Sequence, residues 1–453
     1  MMQITYLLRA LRQIIMKDKV VTKNISIAIV GLGYVGFPTA LAFHNAGFKT
    51  MGIDISQEKI NLIRNRENPL EDKNEDIKIP IESQRWRVST SFEDIIPQAD
   101  VILITVPTPV DINKKPDLKY INSAAKSIIN NLNREKKSIV VLESTVYPGV
   151  TREIIGNLAN DAGMHIGKDL EIAYCPERVS PGDKSRSVDS VARIIGCDDD
   201  ETGEILASLY KYTTSESSIH VGKIEVAEAA KMVENVQRDI DIALSNELAM
   251  ILPMLGIDVE DVLNAASTKW NFHRHTPGIG VGGHCIPVDP YYYMSLAESV
   301  GFKSILSSAS RKINNGMPKY AFEQIEEILG NVDNKNILIL GYSYKADLGD
   351  IRETPLQDFT RIAINNDANV FVWDPLVEKK LFPRSINHVK NLNDIRDIDM
   401  VVIGAAHEEV IEIEWSELML RCRTRNIYDG RRILNKKDIE NMGWTYNGIG
   451  VPK

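Results

Sequence analysis

Cys285 stands in the run Gly280-Val281-Gly282-Gly283-His284-Cys285-Ile286-Pro287-Val288-Asp289-Pro290, where residue type and setting point directly to chemistry. A thiol that meets an aldehyde holds it as a thiohemiacetal. A nearby hydride acceptor then leaves a thioester, and water releases an acid. Asp289, four residues on, is suited to order water or to anchor a basic group. The glycines before Cys285 are expected to give a bulky substrate close access to the backbone. The plain alternative is a small buried hydrophobe in a Gly-rich turn, as for most isolated cysteines.

The hydride acceptor is legible upstream. Ile25 to Val30 is an apolar, β-rich run, followed by Gly31-Leu32-Gly33-Tyr34-Val35-Gly36, an amphipathic helix through Ala46, and a second strand from Lys49 to Ile53 that ends in Asp54. This is the strand, glycine turn, helix and acid-tipped strand of a dinucleotide-binding unit. Gly31 permits the turn, Gly33 lets the backbone approach a pyrophosphate, and Gly36 lets the helix pack on the sheet, with the helix N-terminus facing the phosphates. Asp54 is an acceptor for the adenosine ribose and repels a 2′-phosphate, so NAD is favoured over NADP. The run Asp100 to Pro109 predicts a buried strand ending in a ligand-side loop, and Ser138 to Leu142, followed by Glu143-Ser144-Thr145, predicts another.

From Glu225 the pattern becomes helical to about Leu255, with Lys231, Asn235 and Arg238 on one face and Met232, Val236, Ile240 and Ala243 on the next. A solvated face is the usual account of such a stripe; a helix this long between domains points instead to a dimer interface and an active-site edge. The strand–turn–strand order then returns as Asn336 to Leu340, Gly341 onward, Asn369 to Trp373 with Asp374, and Asp399 to Gly404. This second unit lacks the three-glycine motif, while Lys345, Arg352, Arg431 and Arg432 in its loops suit a phosphate-bearing ligand. The expected fold is α/β, two Rossmann-like doubly wound domains joined by a long central helical region. Its boundaries are 1–24 tail, 25–220 NAD domain, 221–330 central domain and 331–453 C-terminal domain.

Composition agrees with a multidomain enzyme of 453 residues, 43% hydrophobic and 25% charged. A net charge of −9 argues against a nucleic-acid surface. Four cysteines without a CxxC pair or metal-ligand spacing indicate a reducing, cytoplasmic setting, no disulfide framework and no metal. Residues 4–16 have the pattern of a short amphipathic helix, too interrupted by arginine to span a bilayer, which leaves weak surface association at most. The preferred reading is a tail outside the enzyme core, or an upstream start codon with Met16 as the functional start.

The segments GLGYVGFP, VPTP, ESTVYPG, CPERVSPGD, EVAEAAKMVENVQRD, GVGGHCIPVDPYY, GYSYKADLGDIRETP and YDGRR, in this order, resemble the nucleotide-sugar 6-dehydrogenases over nearly the whole chain beyond the tail. The resemblance implies an NAD-binding domain, a central dimerisation region, a C-terminal sugar-nucleotide domain, catalysis in the cleft between them, and a homodimer or dimer of dimers. It implies that Cys285 is the nucleophile and Lys231 the stabiliser of oxyanions, with Asn235 as a second donor. Asp289 and Thr145 position water, and Glu177 acts in thioester hydrolysis. Implied NAD contacts are Tyr34, Val35, Asp54, Lys59, Thr108, Thr145 and Arg352, beside Gly31, Gly33 and Gly36. Implied substrate contacts are Arg178, Val179, Lys231, Asn235, Arg238, Gly282, Tyr344, Lys345 and Arg431.

His284 before the cysteine, Val288 before Asp289, and Thr268-Lys269-Trp270-Asn271-Phe272 resemble the UDP-N-acetylhexosamine branch, and the segments CPERVSPGDK and RKINNGM lean toward UDP-N-acetylglucosamine or UDP-N-acetylgalactosamine, with UDP-N-acetylmannosamine close behind and UDP-glucose and GDP-mannose further back. Phe272-His273-Arg274-His275 departs from the commoner hydrophobic version. The implied product is a uronic acid for surface polysaccharide or glycan precursors. Two other classes stand beside this one: a two-electron hydroxyacid-type dehydrogenase, which needs no Cys285, and a non-catalytic NAD sensor. Two, one or no NADH per sugar separates the three.

Overall fold

The computed structural model describes residues 15–70, 77–111, 113–178 and 190–452. Short Val- and Ile-rich runs buried on both faces are what a parallel sheet covered by helices requires, and two such sheets form. The first contains β1 (Ser26–Val30), β2 (Lys49–Ile53), β3 (Trp86–Ser89), β4 (Val101–Ile104), β5 (Ser138–Leu142) and β6 (Leu170–Tyr174), all parallel, in the order β3-β2-β1-β4-β5-β6. Ile27 and Ile29 of β1 enter one core and Ala28 and Val30 the other, so the sheet is buried on both sides. A small parallel pair, β7 (Arg193–Ile195) and β8 (Ser218–His220), flanks helix Asp200–Tyr210.

The second sheet repeats the first. β9 (Asn336–Leu340), β10 (Asn369–Trp373), β11 (Asn387–His388), β12 (Met400–Ile403), β13 (Asn426–Asp429) and β14 (Thr445–Gly448) lie in the order β11-β10-β9-β12-β13-β14. The likeness extends to single hydrogen bonds. Gly31 N–H donates to Ile53 O over 2.8 Å, and Gly341 N–H to Trp373 O over 2.8 Å. The Asp100 carboxylate accepts from Ser26 N–H at 2.9 Å, and Asp399 from Asn336 N–H at 2.9 Å. At the strand tips Asp54 accepts from Leu32 N–H at 2.9 Å and Asp374 from Tyr342 N–H at 2.6 Å. The two acids then part company. Asp374 is also held by the fully buried His407 at 3.1 Å. His407 Nδ1 accepts from Asp347 N–H, which places the ring proton on Nε2. An imidazole thus fills the flank of the acid that a ribose needs, in keeping with the missing glycine motif.

The described chain groups into two compact units, one of residues 15–70, 77–234 and 291–300, the other of 235–290 and 301–452. Helix Ile224–Ile251 runs through the division after Glu234. The helix expected to reach Leu255 turns to 3-10 geometry at Leu252–Leu255, because Pro253 lacks the N–H that the α pattern needs. The start of the chain also differs from the expected tail. Residues 15–21 are helical, Val20 is buried with Met16 packed beside it in the first core, and Lys19 pairs with Asp100 at 3.2 Å. The apolar pattern of residues 4–16 falls largely outside the described residues. Among those described, no helix is long and apolar enough to cross a membrane.

Candidate active site

In the first unit the glycine turn is built as its sequence indicates. Gly31 has φ +100°, and a Cβ on Gly36 would collide with Gly31 O and Thr105 Oγ1. The Thr105 hydroxyl, which no spacing rule singles out, donates to Gly31 O at 2.7 Å and locks the turn. A Cβ on Gly33 would meet nothing within 4 Å, so this face of the backbone is open to a pyrophosphate. Asp54 is buried and splits its oxygens between Leu32 N–H and Ser56 N–H, each at 2.9 Å, with Lys59 Nζ at 4.0 Å. Each carboxylate oxygen has two lone pairs, so capacity remains for a ribose hydroxyl. Tyr34 and Val35 are half-buried beside this turn. The Tyr292 hydroxyl fixes the loop bearing Thr108 by donating to Thr108 O at 3.2 Å and Pro109 O at 3.1 Å. These residues fit an NAD molecule.

Lys231 lies on the same unit and is buried, 8% exposed. One turn earlier, the buried Glu228 accepts from Gly149 N–H at 2.6 Å, Thr151 N–H at 2.9 Å and Thr151 Oγ1 at 2.7 Å. That clamp ties the helix carrying Lys231 to the loop that follows half-buried Thr145. Glu177 is buried, and Arg193 Nη1 approaches its Oε2 at 2.6 Å. Arg178 is committed to Glu234 at 2.7 Å and to Ala192 O at 3.2 Å. Val179 lies outside the described residues.

In the second unit Cys285 is exposed, and its carbonyl accepts from Val288 N–H at 3.0 Å and Asp289 N–H at 2.8 Å at the start of helix Asp289–Ser299. Asp289 is 2% exposed and accepts the Asn235 side-chain amide at 2.5 Å. The Cys285 backbone, the Asp289 carboxylate and the Asn235 amide are therefore linked by successive hydrogen bonds. His284 donates to Asp350 at 2.7 Å, and Arg352 donates through Nε to Oδ1 at 3.0 Å and through Nη2 to Oδ2 at 2.7 Å of the same carboxylate. Burial acts to raise the Asp350 pKa, yet the hydrogen bonds from His284 and Arg352 hold it well below the ordinary carboxylate range.

The glycines before Cys285 answer to the chain itself as well as to any substrate. A Cβ on Gly282 would fall 2.6 Å from Tyr344 Cβ, and one on Gly283, with φ +96°, 2.7 Å from the Tyr344 ring. The 341–355 loop packs on this run, which corrects the expectation that a bulky substrate alone demands them. The cations of the C-terminal loops divide likewise. Arg432 is engaged by both oxygens of Asp258 at 2.9 Å and by Ile449 O, so it braces the fold instead of awaiting a phosphate. Arg431 donates to Gly404 O at 2.6 Å, and burial lowers its pKa to about 10. Lys345 is half-buried and Arg238 exposed, so the Lys231, Asn235, Arg238 stripe grades from buried to open. Arg274 pairs with Glu260 and His275 lies 3.8 Å from Asp241, which accounts for the polar 272–275 segment.

The comparisons with known proteins agree along the chain. Residues 25–214 match the NAD binding domain of the UDP-glucose/GDP-mannose dehydrogenase family, 225–316 its central domain and 338–436 its UDP binding domain. The chain is 38% identical over 395 residues to a UDP-N-acetyl-D-glucosamine 6-dehydrogenase of Pseudomonas aeruginosa, covering 85% of this chain and 92% of that protein. It is 32% identical to a UDP-N-acetyl-D-mannosamine dehydrogenase of Pyrococcus horikoshii, covering 94% and 99%. A solved structure of UDP-D-ManNAc dehydrogenase from Pyrococcus horikoshii superposes with a TM-score of 0.82 at 30% identity, over 94% of this chain and 99% of that one.

Proposed function

Because the chain belongs to the UDP-glucose/GDP-mannose dehydrogenase family, we propose that it oxidises C6 of a UDP-N-acetylhexosamine by four electrons, with UDP-N-acetylglucosamine or its galacto epimer as substrate. It is an NAD-dependent oxidoreductase with a UDP-sugar substrate. The observation that carries the four-electron reading is the exposed Cys285 thiol whose own turn starts the helix of Asp289, with Asn235 bonded to Asp289 at 2.5 Å.

NAD held at the Gly31–Gly36 turn would accept one hydride, so the two oxidations would use two NAD molecules in turn, the first leaving as NADH before the second binds. Gly33 would face the pyrophosphate and Asp54 would take the ribose hydroxyls, and Tyr34, Val35, Lys59, Thr108, Thr145 and Arg352 are assigned to the cofactor. The ammonium of Lys231 and the amide of Asn235 stabilise the alkoxide of C6 and later the tetrahedral oxyanions. Cys285 adds to the aldehyde to give a thiohemiacetal, whose oxidation leaves a thioester. Asp289 and Thr145 hold the water, and Glu177 takes its proton as the thioester opens to the acid and the Cys285 thiolate. Arg178, Val179, Arg238, Gly282, Tyr344, Lys345 and Arg431 are assigned to the sugar nucleotide.

His284 and Val288 support the N-acetylhexosamine branch, and the CPERVSPGDK and RKINNGM segments, with the 38% identity to the glucosamine enzyme against 32% to the mannosamine enzyme, support the gluco or galacto epimer. The exposed apolar residues Val226, Val233, Leu244 and Ile251, spaced seven, eleven and seven along one helix, support a second copy of the chain as partner. A substrate panel tests the assignment. UDP-N-acetylglucosamine or UDP-N-acetylgalactosamine is expected to give two NADH per sugar and a uronic acid. One NADH per sugar, or turnover confined to UDP-glucose, would sink it.

A further inference from the structure

Four residues remote in sequence meet at the C-terminal ends of β5 and β6. Glu143 follows β5, Glu177 lies just past β6, Arg193 opens β7 and Tyr210 closes helix Asp200–Tyr210. Leu142 and Tyr174 are register partners, and Cys175 N–H donates to Leu142 O at 3.0 Å, so the two acidic turns run side by side. The Tyr210 hydroxyl donates to Glu143 Oε1 at 2.5 Å, while the buried Glu143 Oε2 has no hydrogen-bond partner among the described residues. Arg193, 1% exposed, places Nη1 2.6 Å from Glu177 Oε2 and its Cζ 5.8 Å from the Tyr210 ring centroid.

The charge count decides what this cluster can do. Among the described residues, two carboxylates, Glu143 and Glu177, face a single guanidinium, and the other titratable groups packed against them are the Tyr210 phenol and the Cys175 thiol. Burial raises both of those, so they stay neutral. With both acids ionised the pocket would hold an uncompensated buried charge, which is costly. One acid must therefore hold a proton over part of the working pH range. Glu177 has the close contact with Arg193, whereas Glu143 has a neutral phenol and an unmatched oxygen. We propose that Glu143 is a positioning residue for Glu177: neutral, it leaves the whole Arg193 guanidinium to Glu177, and ionised, it competes for that guanidinium and loosens the ion pair that holds Glu177 away from the water of thioester hydrolysis. Glu143 loses its proton to solvent and passes none to the substrate. Burial pushes the Glu143 carboxyl up to about 7, against the pull of Arg193, which places the change near neutrality. The inference rests on the role given to Glu177 above.

The test follows acid release in quenched-flow experiments with the full enzyme, NAD and UDP-N-acetylglucosamine across roughly pH 5.5 to 8.5. Wild-type release is expected to rise about two- to fivefold through one inflection near neutrality, as the general base is freed to reach the water. Glu143→Gln, which keeps the acceptor for Tyr210, should stay at the low-pH plateau with no inflection and an unchanged KM. Tyr210→Phe removes a hydrogen bond that favours the ionised carboxylate, so its inflection should move to higher pH. Difference infrared spectra should show a protonated-carboxyl band lost near neutrality in the wild type and absent in Glu143→Gln. An inflection retained in Glu143→Gln would overturn the proposal while leaving Glu177 in place. Normal hydrolysis by Glu177→Gln would overturn the Glu177 assignment itself, and the inference with it.

Discussion

The side-chain amide of Asn235 donates to the Asp289 carboxylate over 2.5 Å, joining the long helix to the helix that begins just after Cys285. Asp289 is almost fully buried, so the amide does two things: it satisfies a desolvated carboxylate and it holds that carboxylate in one orientation. Asp289→Asn keeps the size but places an amide against an amide. Turnover should fall by about two powers of ten, with KM for the sugar nucleotide moving less than threefold, as for an interaction that matters mainly in the transition state. Steady-state kinetics with both parameters resolved checks this; a loss confined to KM would place Asp289 in binding alone.

Cys285→Ser substitutes a weaker nucleophile and a poorer leaving group. The first hydride transfer needs only the alcohol, a base and NAD, so the loss should fall on the second oxidation and on hydrolysis. Trace NADH and a protein-bound sugar seen by mass spectrometry are expected, and in the wild type sugar nucleotide should protect against iodoacetamide. Two NADH per sugar at the wild-type rate would rule out covalent catalysis at this residue.

Asp54→Ala removes the acceptor of two backbone amides and the repulsion of a 2′-phosphate. NAD should bind about tenfold or more weakly, discrimination against NADP should shrink, and the loss of buried acceptors should destabilise the unit by about 1–3 kcal/mol. Titration with both nucleotides and thermal unfolding read the two effects separately. A wild-type preference for NADP would refute the reading of this loop.

Glu143 also links stability to pH. Its folded pKa, raised to about 7 from the ordinary 4.5, means the native state binds more protons than the unfolded chain between these values. Stability is therefore lost as pH rises through that window and stays at the lower level above it. Glu143→Gln carries no such charge. Its melting temperature relative to wild type should climb between roughly pH 5 and 7 and then level off. A gap that is constant with pH would show that the carboxyl titrates alike in both states.

Asp239 accepts from Arg311 Nη1 at 2.7 Å and from Asn314 Nδ2 at 2.7 Å, with the ion pair buried. Asn314 Oδ1 accepts from Asn246 Nδ2 at 2.8 Å, and Asn246 Oδ1 in turn accepts from Gly278 N–H at 3.0 Å, at the head of the run leading to Cys285. Asp239→Ala strands the guanidinium and should cost about 3–5 kcal/mol. Chemical denaturation measures it; a change under about 1 kcal/mol would mean that water replaces the carboxylate.

Elements made by local pattern were legible in the amino-acid sequence. Lys49–Ile53 with Asp54 and Asn369–Trp373 with Asp374 stand where apolar runs ending in an acid place them, because strand burial and a backbone-capping carboxylate are properties of a few neighbouring residues. Cys285 and Asp289 were legible for the same reason, being one turn apart. Contacts between distant segments were decided by the tertiary structure. Residues 143, 177, 193 and 210 carry no common spacing, and only the pairing of β5 with β6 and the return of the chain through β7 bring two acids to one arginine. Likewise the Gly282–Gly283 pair is needed because Tyr344 packs on it, and Arg432 is taken from the ligand loops by Asp258. A charge or a missing Cβ announces that something must approach, but the partner is chosen by burial and by the path of the chain.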